Sequence, residues 1–196
     1  IGGTSNAAIS GTVVASGDVT DFTISLDSAK VIYLADKSTD AVPELYSVNI
    51  GSGGEVKLNP SLGAGAAVTS YAISDNSSKV VYIADRNVTG KFELFSVNIG
   101  GGGTVTVNSA MVAAGDVTSF AISANSATVA YISDEDTDEV FEVFKNAIAG
   151  GSHSRVSADM PAGGDATSVG FSGNSSNILY LGDQRTDGTS ELFKAP

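Results

Sequence analysis

The sequence contains no cysteine and no tryptophan, a single histidine at position 153, and ten basic residues against 22 acidic ones. Without thiols there are no disulfides, no thiolate metal sites and no cysteine nucleophile, although this alone assigns no compartment. His153 has no second imidazole for a metal site and no nucleophile at hand, and is read as an exposed residue of a Gly/Ser-rich turn. The formal net charge of −12 repels nucleic acid phosphates and anionic lipid head groups, so neither is expected as a partner. No apolar run is long enough to cross a bilayer. No window of 11 or more residues has apolar positions at helical spacing. Ile1 to Ala8 carry neither the basic start nor the apolar stretch of a secretion signal, which leaves export open.

The 196 residues are 42% hydrophobic, with a mean hydropathy of +0.14, enough to bury a core. Their apolar residues fall in runs of about five to seven bounded by Gly, Asn, Asp and Ser, the spacing of short strands and turns. The pattern repeats with a period of 49 and without insertion or deletion, as four positions make plain. Ser25, Ser74, Ser123 and Ser172 recur first; Tyr33, Tyr82, Tyr131 and Tyr180 next; then Asp36, Asp85, Asp134 and Asp183; then Glu44, Glu93, Glu142 and Glu191. Such a period marks a repeat architecture.

Each copy reads as four strands, in the first at Val19 to Ser25, Val31 to Ala35, Glu44 to Asn49 and Glu55 to Leu58. Asp27-Ser28 and its equivalents Asn76-Ser77, Asn125-Ser126 and Asn174-Ser175 supply the first turn. Glycine clusters such as Gly51 to Gly54 and Gly100 to Gly103 allow positive φ at the last. The second strand is apolar on both faces and so must be sandwiched, with its tyrosines in the core. Thr23, Ala72, Ala121 and Gly170 are small where innermost strands crowd an axis. The expected fold is an all-β propeller of four 49-residue, four-stranded antiparallel blades, forming one domain over residues 1–196. Its blades span 17–65, 66–114, 115–163, and 164–196 plus 1–16. In this scheme Ala7, Ala8 and Ile9 stand where the fourth strands of other copies stand, and complete the last blade. That completion happens either within the chain, closing a four-bladed ring, or between chains, giving a larger ring or a filament.

The runs Phe120 to Ser123, Val80 to Asp85 and Glu93 to Val97 resemble TolB-type propeller repeats, and the likeness extends over all four copies. The Ser-Pro-Asp-Gly turn of that family is altered: Leu26, Asp75, Ala124 and Gly173 replace its Pro, and Ser replaces its Gly. The resemblance, a surface rich in Ser, Thr, Asn and Gly, and the scarcity of Lys imply an extracellular, cell-surface or periplasmic protein. The α/β domain of TolB and the hydrolase domain of related oligopeptidases do not fit within these 196 residues, and activity does not transfer with a fold.

Candidate chemistry is sparse. Asp134, Asp136 and Asp138, on the hairpin between second and third strands, supply several oxygens to a hard cation such as calcium. In the second copy Thr89 and Lys91 break the pattern, and the simpler reading of the acids is solvated rim turns that keep blade edges soluble. No other cofactor is implied. Asp18, Asp116 and Asp165 precede the first strand and are read as bonding backbone amides to tie blades together, with Ala67 the exception. Ser-Asp neighbours hint at a sialidase-type Asp box, which lacks its Gly and Trp here. Asn76, Asn87 and Asn174 begin short glycan-acceptor patterns. No unrepeated cluster of acid, base and nucleophile is present, so no catalytic residue is assigned. The expected function is a non-enzymatic structural or interaction scaffold whose partner is another copy of itself, another protein or a glycan. The alternatives are a propeller binding a carbohydrate or peptide and, after it, a hydrolase or lyase.

Overall fold

Polar turns and glycines cut the chain into fifteen short strands in the computed structural model, which describes residues 6–196. They form four antiparallel sheets, each made of consecutive strands. The first holds β1 (Val19–Ile24), β2 (Lys30–Ala35), β3 (Glu44–Asn49) and β4 (Gly53–Lys57). The second holds β5 (Val68–Ile73), β6 (Lys79–Val88), β7 (Lys91–Asn98) and β8 (Val105–Thr106), and the third β9 (Val117–Ile122), β10 (Thr128–Ser133), β11 (Glu142–Ala147) and β12 (Ser154–Arg155). The fourth has three strands, β13 (Ala166–Phe171), β14 (Ile178–Gly182) and β15 (Glu191–Ala195).

The first turn of each blade is fixed by its own side chains. Ser25, Ser74, Ser123 and Ser172 donate Oγ–H to the side-chain oxygen of Asp27, Asn76, Asn125 and Asn174 at 2.6–2.8 Å. Each serine Oγ also accepts the amide five residues on. The next residue, Ser28, Ser77, Ser126 or Ser175, takes φ between 55° and 60°, a left-handed conformation that closes the tight turn. A register shift recurs between first and second strands of every blade, placing Thr20, Thr69, Thr118 and Thr167 at the irregularity.

The core lies between sheets, as expected for second strands apolar on both faces. Ile32, Leu45 and Leu58 of the first blade meet Val68, Val80, Tyr82 and Phe95 of the second. Val81, Ile83, Leu94 and Val107 of the second meet Val117, Val129, Tyr131 and Phe144 of the third. Ala130, Ile132 and Val143 of the third meet Ala166, Ile178 and Tyr180 of the fourth. All four repeated tyrosines are buried. Each stacks on the aromatic ring of its neighbouring third strand, Tyr46, Phe95, Phe144 or Phe193, with centroids 5.2–5.7 Å apart. The result is a row of blades with a propeller-like fold.

Among the described residues the last blade has no fourth strand. Ala7, Ala8 and Ile9 lie in irregular, exposed backbone, and among the described residues no strand pairs with the outer edge of β15. The described residues therefore do not show this segment closing a four-blade ring. Fourth strands are short in the other blades too, five residues in β4 and two in β8 and β12.

Candidate assembly interface

Two polar contacts recur at the interior joints. The amide of each first turn reaches the left-handed serine of the next blade: Asp27 N–H donates to Ser77 Oγ at 3.2 Å, Asn76 N–H to Ser126 Oγ at 3.0 Å, and Asn125 N–H to Ser175 Oγ at 3.0 Å. The acid before a first strand reaches back across the joint. Asp116 Oδ1 accepts Phe92 N–H at 2.6 Å, and Asp165 Oδ1 accepts Phe141 N–H at 2.9 Å. At the joint between blades one and two the donor position is Pro43, which has no N–H, and the acceptor position is Ala67. There Val68 N–H donates to the Pro43 carbonyl at 2.9 Å, a bond that Ala166 N–H also makes to the Phe141 carbonyl at the last joint, at 2.8 Å.

The outer faces of blades one and four carry the same residue types without a neighbour. Val19 and Ile24 are exposed where Val68 and Val117 are buried and Ile73 and Ile122 partly so; Phe22 is 63% exposed where Tyr71 and Phe120 pack. On blade four, Leu192 is 67% exposed and Leu181 41%, whereas Leu45, Leu94 and Val143, and Ile83 and Ile132, at the same repeat positions, are buried. A hollow of about 310 Å³ opens on blade one, lined by Ile9, Ser10, Val19, Phe22, Val31, Tyr33 and Val48. Five of those positions are the equivalents of Val107, Val117, Phe120, Val129 and Tyr131. At the joint of blades two and three these surround Ile83 and Leu94.

The segment leading into blade one already follows the course of the interior connections. Val14 N–H donates to the Lys37 carbonyl, as Val112 N–H does to that of Glu135. Gly17 N–H donates to Val14, as Gly115 does to Val112. Tyr33 Oη–H and the Lys37 ammonium both hold the Ser10 carbonyl. Ser10 corresponds to Asn59, Asn108 and Ser157, whose side chains accept the third-strand amides of Leu45, Leu94 and Val143 at 2.7–3.1 Å. Ile9 and Ser10 thus stand just past where the fourth strand of a preceding blade would end.

The acids singled out on the rim have another role. Both oxygens of Asp134 are engaged by backbone: Oδ1 accepts Asp116 N–H at 2.5 Å and Oδ2 accepts Glu139 N–H at 3.0 Å. Asp36, Asp85 and Asp183 make the equivalent pairs. In Asp36 and Asp183 these amides hold the carboxyl below its ordinary range. Asp136 and Asp138 are exposed. No group of three or more His, Cys, Asp or Glu among the described residues is arranged to hold a metal, so the structure does not bring the three calcium candidates together.

Asn76 and Asn174 lie exposed in first turns, and their side-chain oxygens accept the Ser78 and Ser176 amides. Asn87 lies in the β6–β7 hairpin and donates to Glu93.

His153 is exposed, as expected, yet its ring is engaged on one side. Its ring stacks on Phe144 at 5.3 Å, and Nε2 lies 2.5 Å from Oε1 of Glu135, which also receives Tyr131 Oη–H. Burial pushes the Glu135 carboxyl up, against the pull of His153. The same two positions in blade one carry Lys37 and Glu55, an ion pair of opposite polarity beneath Tyr33. Aligning the copies would have shown this exchange.

By sequence, the chain matches no protein-family model and no curated protein. By structure, it is similar to TolB from Acinetobacter baumannii, with a TM-score of 0.58 and 11% identity, over 90% of this chain and 40% of that one. It is similar to Porphyromonas gingivalis dipeptidyl peptidase 4, with a TM-score of 0.66 and 11% identity, over 90% and 31%. It is also similar to an oligogalacturonate lyase in complex with manganese, with a TM-score of 0.59 and 13% identity, over 89% and 49%. The chain spans less than two thirds of each of these structures, and at such identities the likeness is one of fold: that of TolB-type β-propellers.

Proposed function

We propose that this TolB-type blade array is a non-enzymatic extracellular, cell-surface or periplasmic scaffold that assembles head to tail through its two end faces. The observation that carries the reading is the exposure of Phe22, Leu181 and Leu192 at positions buried in every other joint or packed against one. Repeat arrays that end in water have terminal units with polar outer faces, and apolar patches left open mark interaction sites. Each large side chain returned to a joint contributes about 1.5–3 kcal/mol. The faces are complementary because each is one half of a joint the chain builds three times. Ala7, Ala8 and Ile9 then supply the fourth strand to the neighbouring copy's β15, removing its open edge. A head-to-tail contact of this kind closes into a ring when its rotation allows and otherwise propagates as a filament.

The non-catalytic part of the reading is supported by how the repeated polar groups are engaged. The rim aspartates bind backbone amides, and the lone histidine packs between an aromatic ring and a buried carboxylate. Light scattering across a dilution series, with electron micrographs of the same sample, tests the assembly. A mass at least twice that of the 19.7 kDa chain, or filaments, is expected. A monomer mass at all concentrations overturns the proposal.

A further inference from the structure

Building on the assembly reading, we infer that the joint between copies is keyed by two polar pairs. The Asp18 carboxylate of one copy takes the Ser190 amide of the next, and Ser28 Oγ takes the Asn174 amide. These pairs fix polarity and register, which apolar contact alone leaves loose.

The interior joints differ at the acid position. Where the residue facing the acid position has an N–H, at Phe92 and Phe141, the acid is present and bonded. Where it is Pro43, with no N–H to give, the acid is replaced by Ala67. The carboxylate thus accompanies its donor rather than the blade. Blade one has Asp18, and the position facing it by the same 49-residue step is Ser190, which has an N–H. Among the described residues no hydrogen bond reaches the Asp18 carboxylate, and Ser190 lies exposed.

The second pair follows the same logic. Ser77, Ser126 and Ser175 each accept an amide from the preceding blade, and Ser77 and Ser126 are buried in doing so. Ser28 has the same left-handed φ, 57°, but is exposed, and no hydrogen bond reaches its Oγ among the described residues. The Asn174 amide is the one first-turn amide without a serine ahead of it in the chain. Both unmatched acceptors therefore lie on blade one and both unmatched donors on blade four. This is the division expected of two halves of one joint, and under the assembly reading the occupant is a second copy of this chain.

The chain's own exception supplies the test. Ser190→Pro removes the donor, and Pro is compatible there. Val42 before Pro43 and Thr189 before Ser190 close the same turn, onto Thr39 and Thr186. Asp18→Ala removes the acceptor. Together they rebuild at the intermolecular joint the Pro43–Ala67 combination of the first interior one.

Sedimentation velocity measures self-association of the full 196-residue chain, and circular dichroism melting confirms that each variant folds. Ser190→Pro strands a carboxylate in the joint and is expected to weaken association about tenfold or more. Asp18→Ala strands an amide and weakens it less. The double variant is expected to return to within about threefold of the parent chain, because neither group is then left unpaired. Two single effects that simply multiply in the double variant, or singles that change nothing while the parent chain still associates, overturn the keyed joint and leave the assembly reading standing. A parent chain that stays monomeric overturns both.

Discussion

The joint between blades two and three and the faces at the two ends of the row are made from the same positions, yet one is dry and the other wet. Leu94 and Leu192 occupy equivalent places and differ from fully buried to 67% exposed. Nothing in the residue type marks the end: Leu26 on blade one is more apolar than its equivalents Asp75 and Ala124. What separates an interior face from a terminal one here is the presence of a neighbour and not the residue type.

The largest test of that comparison is to truncate the same position in both settings. Leu94→Ala is expected to cost about 2–5 kcal/mol of folding stability through a cavity between blades. Leu192→Ala at concentrations below assembly is expected to stay within about 0.5 kcal/mol of the parent chain, while weakening association. Urea denaturation of both variants reads the contrast, and equal losses would break it.

A smaller effect is expected at the clamp. Asp116→Ala leaves the Phe92 amide unpaired inside a joint and is expected to cost about 1–3 kcal/mol. Asp18→Ala leaves the folding of the isolated chain unchanged. Thermal melts at low concentration separate the two.

The end blades also carry an acid dependence. Asp36 and Asp183 are held down by backbone amides, Asp18 and Ala41 in one case and Asp165 and Gly188 in the other. A carboxyl depressed in the folded chain stabilises it above the ordinary value near 3.8, and that stability is lost as pH falls through the lower folded value. Melting temperature should therefore fall on the acid side, and more gently in Asp36→Asn.

Glu135 runs the other way and gives the smallest change. Its carboxyl is raised above 4.5 by burial, so its contribution is present below that value and is lost as pH rises through the folded one. Glu135→Gln copies Gln184 of blade four, which accepts Tyr180 Oη–H at 2.6 Å. It is expected to raise the melting temperature by about 2–4 °C at neutral pH, with the gain vanishing near pH 4. A gain that persists at pH 4 would show that packing, and not the buried charge, is responsible.

The blade plan was legible from the sequence because period, strand patterning and turn chemistry all point the same way. Third strands fall where the Glu44 spacing puts them, and the tyrosines are buried as their apolar strands require. The acids on the rim were legible as a cluster but not in their role, because the amides that occupy Asp134 belong to backbone that any residue supplies. The fourth strand of the last blade was legible only as a match in the repeat. Ala7 to Ile9 match the repeat in position, but so short a strand exists only against a partner edge, which sequence position does not provide.

The Pro43–Ala67 pair has a consequence for how the chain reaches its fold. Four copies of one unit on a single polypeptide invite mispairing, because a newly collapsed blade presents nearly the same face to three others, and repeat proteins characteristically misassemble in this way. Blade two docked behind blade three would leave the Phe141 amide facing Ala67, with nothing to accept it. Blade three docked behind blade one would bury the Asp116 carboxylate against Pro43, with nothing to give. Any other blade docked on the Pro43 face of blade one or the Ala67 face of blade two carries an unpaired group, so a single departure from the repeat makes the first two blades recognise one another.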